Sequence, residues 1–353
     1  MKAALGNART EAERHAGALW DAVRAGDEHT AHQVVARAAR LLGAEGALLD
    51  VVGAVQRRVG REWAANRLSV PEEHAATAIN DRVIASVVPR ERRSADRGRV
   101  TVACVDGEWH ALPARLLAEV LTLRGFGVDY LGAQVPAPHL VAHLHRTGPD
   151  AAALSGSIAT RLPAAHATIT ACQAAGVPVI VGGAAFGPDG RYARLLGADG
   201  WAPDARAAAD VLSEPLARPR PGRQAVDDLP HLADHEHARV SRSSPQLVSA
   251  VYAGLEERLP VLRELPDLQR RHTAEDLAHI VGFLATALYL DDGELFTGFV
   301  AWTAEILTAR GVPAGWLRLG LELLRGEMPD LPRSCRIVGE AIWHLDRRPS
   351  ADM

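Results

Sequence analysis

The sequence predicts a multi-domain protein: a four-helix bundle, then a doubly wound α/β domain around a five-stranded parallel sheet, then a second all-helical domain. Three observations carry this. Residues 1–95 hold no strand-like alternation and are rich in Ala, Leu, Val and Arg. Between 97 and 214, short apolar runs alternate with helical stretches, the pattern of successive βαβ units. After residue 245 the helical period returns without strands. At 353 residues, two or three domains are expected, and the spacing divides them as 1–95, 96–214 and 245–353, with 215–244 as a linker.

In the first domain, helices are drawn over 9–25, 28–42, 44–66 and 71–90. Gly26-Asp27 and Gly43 punctuate the first joints, and Pro71 suits a first helical turn. Leu48, Leu49, Val52, Val55, Val59 and Trp63 recur at helical spacing and give the third helix an apolar face. Short connections favour an antiparallel bundle.

In the second domain, strands are expected at 100–105, 127–131, 151–155, 178–182 and 199–202. Helices are expected at 113–125, 137–147, 163–176 and 188–197, with another from Pro203. The run from Val102 to Val105 ends in Asp106-Gly107, followed by Glu108-Trp109-His110 and a helix beginning near Pro113. That puts a ligand-capable imidazole at the carboxyl end of a strand, where open α/β sheets bind ligands.

The stretch 213–244 shifts to Pro, Arg, Asp and His and reads as a linker; its His231, His235 and His237 are expected in a solvated loop rather than on a metal. Beyond it, helices are expected at 245–258, 260–267, 273–290, 292–310 and 313–325, with Thr273 and Asp276 as a start signal. Ile337, Ala341, Ile342 and Trp343 suggest a final docked helix.

Composition narrows the function. Apolar residues make up 48% of the chain and charged residues 23%, enough for packed cores. A formal net charge of −4 argues against a nucleic-acid surface. Cys104, Cys172 and Cys335 are too scattered for a metal cluster and read as inert buried thiols. No basic-then-apolar leader opens the chain and no apolar run nears the roughly 18 residues of a span, so a cytoplasmic protein without a membrane is expected.

Glu108-Trp109-His110 with Pro113 resembles the Asp/Glu-x-His-x-x-Gly signature of cobalamin-binding domains, with Pro113 in place of the final glycine. Leu154-Ser155-Gly156-Ser157 and Val181-Gly182-Gly183 sit where that family places its Ser-x-Leu and Gly-Gly elements, Ser157 replacing the Leu. Ala198-Asp199-Gly200-Trp201-Ala202-Pro203 matches the family's last turn. The resemblance implies that His110 ligates cobalt and that an acid fixes the tautomer of the other ring nitrogen. It implies cofactor contacts from Asp106, Glu108, Ser155, Ser157, Gly182, Gly183 and Trp201.

Trp63, then nine residues, then Glu73-His74, with Val70 between, resembles the Trp-x9-Glu-His motif of cobalamin-dependent photoreceptors. In them the bundle caps the upper face of adenosylcobalamin, which implies that Trp63, Val70, Glu73 and His74 line the adenosyl group. Some relatives carry a histidine after the Trp as a second cobalt ligand; here that position is Ala64. The transcription-factor photoreceptors open with a DNA-binding helix-turn-helix, whereas this bundle begins almost at Met1, so no direct nucleic-acid contact is expected.

The segment from Arg271 through Asp291-Asp292-Gly293-Glu294 to Trp302 resembles the globin-like domain of the photocobilins, which implies a bilin, biliverdin, near the cobalamin. Phe283, Tyr289, Phe296, Phe299 and Trp302 could supply apolar walls. Arg271, His272 and Arg310 could meet propionates, and Asp276 or His279 could face pyrrole nitrogens. No cysteine lies between 173 and 334, so a thioether-linked bilin is not expected there. The expectation is a non-enzymatic light-sensing signalling protein, a homo-oligomer or one with a light-dependent protein partner. The alternatives are a corrinoid carrier serving a methyltransferase, or a binding module whose last domain holds no pigment.

Overall fold

The computed structural model describes residues 2–87, 96–217 and 229–347. The chain divides into two compact units, Met1–Ala225 and Val226–Met353. Unit 1 opens with α1 (Lys2–Arg24), α2 (Glu28–Gly46), α3 (Gly53–Ala64) and α4 (Val70–Val87). Asp27 caps α2 by accepting from the Thr30 N–H at 2.9 Å. Leu19, Leu48, Val51, Val55, Val59 and Ile84 form the bundle core, which also receives Leu112 and Leu116 from the helix after His110. Expected helix 71–90 runs beyond the described residues at 88–90.

The expected single helix over 44–66 is not uniform. Gly43 breaks α2 with a φ of 77°, and a π-turn spans Ala47–Val52 before α3. That turn has a packing consequence. Glu45 and Asp50 are five residues apart, which on an α-helix would leave them roughly 140° apart. A π-turn closes i→i+5 contacts and brings them toward one face. Both then grip Arg206: Glu45 at 3.1 Å and Asp50 through two bonds at 3.0 and 2.6 Å. Glu45 also takes a forked pair from Arg124, at 3.0 and 2.9 Å. The bundle is therefore fastened to the α/β domain by apolar packing and by an ionic cluster of Glu45 and Asp50 with Arg124 and Arg206, in which Arg124 also pairs with Asp210.

The sheet comprises β1 (Arg99–Cys104), β2 (Gly127–Gly132), β3 (Ala151–Ser155), β4 (Val179–Gly182) and β5 (Gly200–Ala202). Its order is β2-β1-β3-β4-β5, all parallel. The intervening helices are α5 (Ala111–Leu123), α6 (Ala137–Thr147), α7 (Leu162–Ala174), α8 (Arg191–Leu195) and α9 (Ala205–Val211). Only α8 is much shorter than the expected 188–197. The strand order reverses between β1 and β3, and the crevice outside their carboxyl ends is the expected ligand position of such a sheet.

Unit 2 is all-helical: α10 (Glu236–Arg258), α11 (Asp267–Leu290), α12 (Gly293–Ala309), α13 (Ala314–Gly326) and α14 (Pro332–Asp346). Phe296 is fully buried in its core with Leu284, Leu288 and Leu321. Phe296 is thus a packing residue and not a pocket wall. Three expectations are corrected here. The linker 215–244 lies outside the described residues only at 218–228; from Pro230 it forms a 3-10 turn and then α10, whose start at Glu236 leaves Pro245 inside the helix. Its charges are ordered because their partners lie about a hundred residues on. Buried Glu236 accepts from the backbone N–H groups of Arg333 and Ser334 at 2.9 and 2.7 Å, capping α14, while Arg333 pairs with Asp234 and Asp291. The rings of His231 and His237 bond the carbonyls of Tyr289 and Ala285, at 2.8 Å each, and are not loop residues in water. Residues 260–264 form a 3-10 turn and α11 starts at Asp267, so Thr273 is mid-helix, its hydroxyl donating to the Gln269 carbonyl at 3.0 Å.

Candidate functional site

The site in unit 1 is built on the loop between β1 and α5. Val105 continues β1 by donating to the Ser155 carbonyl at 2.9 Å, which fixes the loop's origin. Gly107 has a φ of 75°, a conformation that favours glycine, and an added Cβ would lie 3.2 Å from the Arg161 guanidinium, which is exposed and can move aside. Asp106 takes a long contact from the Ala137 N–H, at 3.5 Å.

Glu108 is 0% exposed and is the centre of the arrangement. Its Oε1 accepts from the His110 Nδ1–H at 2.6 Å and the His110 backbone N–H at 3.0 Å. Its Oε2 accepts from the backbone N–H groups of Ser157 and Ile158 at 2.7 and 3.1 Å. A buried carboxylate is costly unless its lone pairs are used, and here four N–H groups use them. Burial alone pushes the Glu108 carboxyl up; the imidazole and the three backbone donors outweigh it and hold the pKa at about 2. One ionised carboxylate therefore fixes the His110 tautomer and ties its loop to the loop after β3.

The His110 side chain is 46% exposed, and with Nδ1 committed to Glu108, Nε2 is its nitrogen available to a ligand. Trp109 beside it is 60% exposed, its ring set edge-on to the imidazole at 5.3 Å. His110 is also the N-cap residue of α5, and Pro113 sits in that helix's first turn, a position proline tolerates.

A cavity of about 110 Å3 opens among Pro113, Leu117, Ser155, Gly182, Gly183 and Pro203. A Cβ on Gly182 would lie 3.0 Å from the carbonyl of Ala202, which also lines the slot, and one on Gly183 would strike the Gly156 carbonyl at a φ of 98°, so both positions need glycine, the first at the slot and the second where two loops pack. Ser155, Gly182 and Gly183 thus share one slot. Ser157 contributes its backbone to Glu108 instead. Trp201 lies away from the cavity lining with its ring against Gly190, because side chains alternate across a strand and Ala202 takes the slot side.

Trp63 ends α3, and Val70, Glu73 and His74 begin α4, so all four occupy one end of the bundle. Trp63 and Glu73 are half-buried, Val70 and His74 exposed. Glu73 Oε1 accepts from the Thr77 hydroxyl at 2.9 Å.

In unit 2, Phe283 and Phe299 stack at 3.7 Å and Trp302 continues the aromatic row 6.0 Å from Phe299. Asp276 is exposed on α11, and desolvation by the atoms around it pushes its carboxyl up, against the pull of His279, Arg310 and His272. Arg271 is exposed. Tyr289 stands apart, its ring against His237 at 4.9 Å near the far end of α11.

Sequence reading missed the Ser157 and Ile158 amides that bind Glu108, and Arg161 over Gly107. Backbone donors leave no residue-type signal, and Arg161 carries none beyond its charge.

Fold and site define a class: an α/β domain that presents a carboxylate-held histidine at its switch point, joined to a helical bundle. Residues 98–210 match the B12 binding domain, and residues 16–87 match the second B12 binding domain model. Unit 1 is therefore a cobalamin-binding module. No curated protein matches the chain. Among solved structures, the chain is similar to the monomethylamine corrinoid protein of Methanosarcina barkeri, at 20% identity and a TM-score of 0.47 over 55% of this chain and 94% of that one. It is similar to a cobalamin-binding protein from Desulfitobacterium hafniense DCB-2, at 22% identity and 0.31, over 56% and 96%. It is also similar to the methanol:cobalamin methyltransferase complex MtaBC of Methanosarcina barkeri, at 17% and 0.31, over 61% and 83%. Among the described residues no helix is long and apolar enough to cross a membrane.

Proposed function

We propose that this protein is a non-enzymatic light sensor that binds adenosylcobalamin base-off and His-on, together with a bilin such as biliverdin. The observation that carries the cobalamin part is the Glu108–His110 pair, which presents one imidazole nitrogen in a fixed orientation. The residues fit a corrinoid: His110 would ligate cobalt, and the slot at Ser155, Gly182 and Gly183 would take the nucleotide tail. Trp63, Val70, Glu73 and His74 would enclose the upper ligand. Bound adenosylcobalamin supplies a cobalt–carbon bond that light breaks. The chain's part is to orient the imidazole, keep Glu108 ionised, and hold the bundle on the α/β domain through Glu45, Asp50, Arg124 and Arg206. That packing is the element a ligand could bias between two states.

The bilin part rests on unit 2, where the Phe283–Phe299–Trp302 row would give a linear tetrapyrrole apolar walls. His272 and Arg310 would meet propionates, and Asp276 or His279 the pyrrole nitrogens. Output would pass to a second copy of the chain or to a light-dependent protein partner.

The test is to produce the protein alongside biliverdin synthesis and record absorption in the dark and after illumination. A red or far-red bilin band beside corrin bands that change with light is the expected result. Corrin bands alone, with methylcobalamin turnover by a partner enzyme, would instead make the protein a corrinoid carrier for a methyltransferase. Neither bilin nor turnover would leave a cobalamin-binding module.

A further inference from the structure

Behind Glu73 a chain of side-chain hydrogen bonds runs into the bundle. Glu73, Thr77 and Asn80 lie at i, i+4 and i+7 on one face of α4, and Gln56 of α3 reaches between them. Asn80 Nδ2 donates to Gln56 Oε1 at 2.8 Å. Gln56 Nε2 donates to Thr77 Oγ1 at 2.8 Å. Thr77 Oγ1 donates to Glu73 Oε1 at 2.9 Å. At the inner end Asn80 is 0% exposed, and its Oδ1 has no hydrogen-bond partner.

The direction of this chain follows from its outer end. An ionised carboxylate only accepts, so Thr77 must spend its single proton on Glu73. Its oxygen must then accept from the Gln56 amide, which turns the Gln56 carbonyl inward, and that carbonyl must be met by the Asn80 amide. The buried Asn80 carbonyl is the end left over. Buried polar atoms are seldom left unpaired, and this one is accounted for by a charge at the other end of the chain. Glu73 Oε2 has no hydrogen-bond donor among the described residues.

We propose that Gln56, Thr77 and Asn80 form a one-way relay that positions the Glu73 carboxylate, leaving Oε2 for a hydroxyl donor on the upper-face ligand and so favouring a ribose-bearing ligand over a methyl group. They are positioning residues, acting through Glu73. The selectivity half of the proposal rests on the reading that the start of α4 faces that ligand; the direction of the relay does not.

The direction is tested first on the ligand-free full chain. Asn80→Asp removes the inner donor and should lower the unfolding midpoint by roughly 5 °C or more. Glu73→Gln lets the chain reverse. The amide introduced there can donate to Thr77, Thr77 to Gln56, and Gln56 to the carboxylate that Asn80→Asp places at the inner end. The double variant Glu73→Gln/Asn80→Asp should therefore regain at least half of the loss. Additive effects of the two changes would overturn the relay. Selectivity is tested in the dark with adenosylcobalamin and methylcobalamin. Thr77→Val should reduce the preference for adenosylcobalamin about tenfold, the scale of one hydrogen bond to a charged acceptor, while Thr77→Ser retains it. Equal weakening of both cobalamins by Thr77→Val would reduce Thr77 to a structural role and sink the positioning claim. A wild-type protein without any adenosyl preference would contradict the upper-ligand reading, and the ligand-free cycle would still decide the relay.

Discussion

The two units each hold a carboxylate beside histidine, and their environments push these carboxylates in opposite directions. Glu108 is wholly buried and met by four N–H groups, so its pKa falls to about 2. Asp276 is exposed and has no such backbone donors among the described residues, and desolvation by neighbouring atoms raises its pKa against the pull of His279, Arg310 and His272. The difference is one of scaffold. The first sits where two parallel strands end and their loops can aim backbone amides at one point. The second projects from a helix whose own amides are consumed by the helix. A strand-end carboxylate can be wired as a fixed anion, whereas a helix-borne one, with no free backbone amides beside it, stays in contact with solvent.

That contrast can be broken by substitution. The largest effect is expected from Glu108→Gln, whose amide would turn a donor toward N–H groups built for an acceptor. Unfolding of unit 1 in denaturant should become easier by about 3 kcal/mol. The pH dependence follows the sign of the shift. The folded value of about 2 lies below the ordinary 4.5, so the stabilisation is complete above that range and is lost as pH falls toward about 2. The Gln variant should lose this acid dependence, and an unchanged acid limb would contradict the wiring of Glu108. Gly182→Val should follow: with a Cβ only 3.0 Å from the Ala202 carbonyl, the slot closes. Cobalamin affinity, measured by titration, should fall at least about tenfold at a stability cost of about 1–3 kcal/mol. Asp276→Asn should do least. Its raised carboxyl contributes stability that is fully present below the unfolded pKa and is lost as pH rises through the folded one. The Asn variant should remove that decline, raising the unfolding midpoint at neutral pH by only about 1–2 °C because the group is solvent-exposed. A lowered midpoint would mean that Asp276 is held by attraction after all.

The same contrast explains what could be read from the amino acids. The change from period 3.6 to alternating strands and helices marks every strand, and a histidine after β1 is visible because strand ends are visible. The amides of Ser157 and Ile158 are not, since any residue supplies them. The stretch 215–244 reads as a linker because its composition shifts to Pro, Arg, Asp and His; the partners of Asp234 and Glu236, at Arg333 and Ser334, are remote in sequence and close only after folding. The π-turn at Ala47–Val52 leaves no mark in the apolar period, yet it decides that Glu45 and Asp50 share a face. Trp201 shows the same limit: a motif names the residue, but strand alternation decides which side it faces, and here that side is away from the slot at Ser155 and Gly182. In unit 2 the aromatic row was legible as rings at helical spacing, while the burial of Phe296 and the removal of Tyr289 to the far end of α11 depend on packing that spacing does not encode.

Cobalt ligation by His110 is the claim on which the rest stands. It is tested by loading the full-length protein and its His110→Ala variant with adenosylcobalamin in the dark and comparing absorption spectra. The wild type should show the red-shifted bands of a histidine-ligated corrinoid and the variant should not. Identical spectra from the two would contradict the assignment.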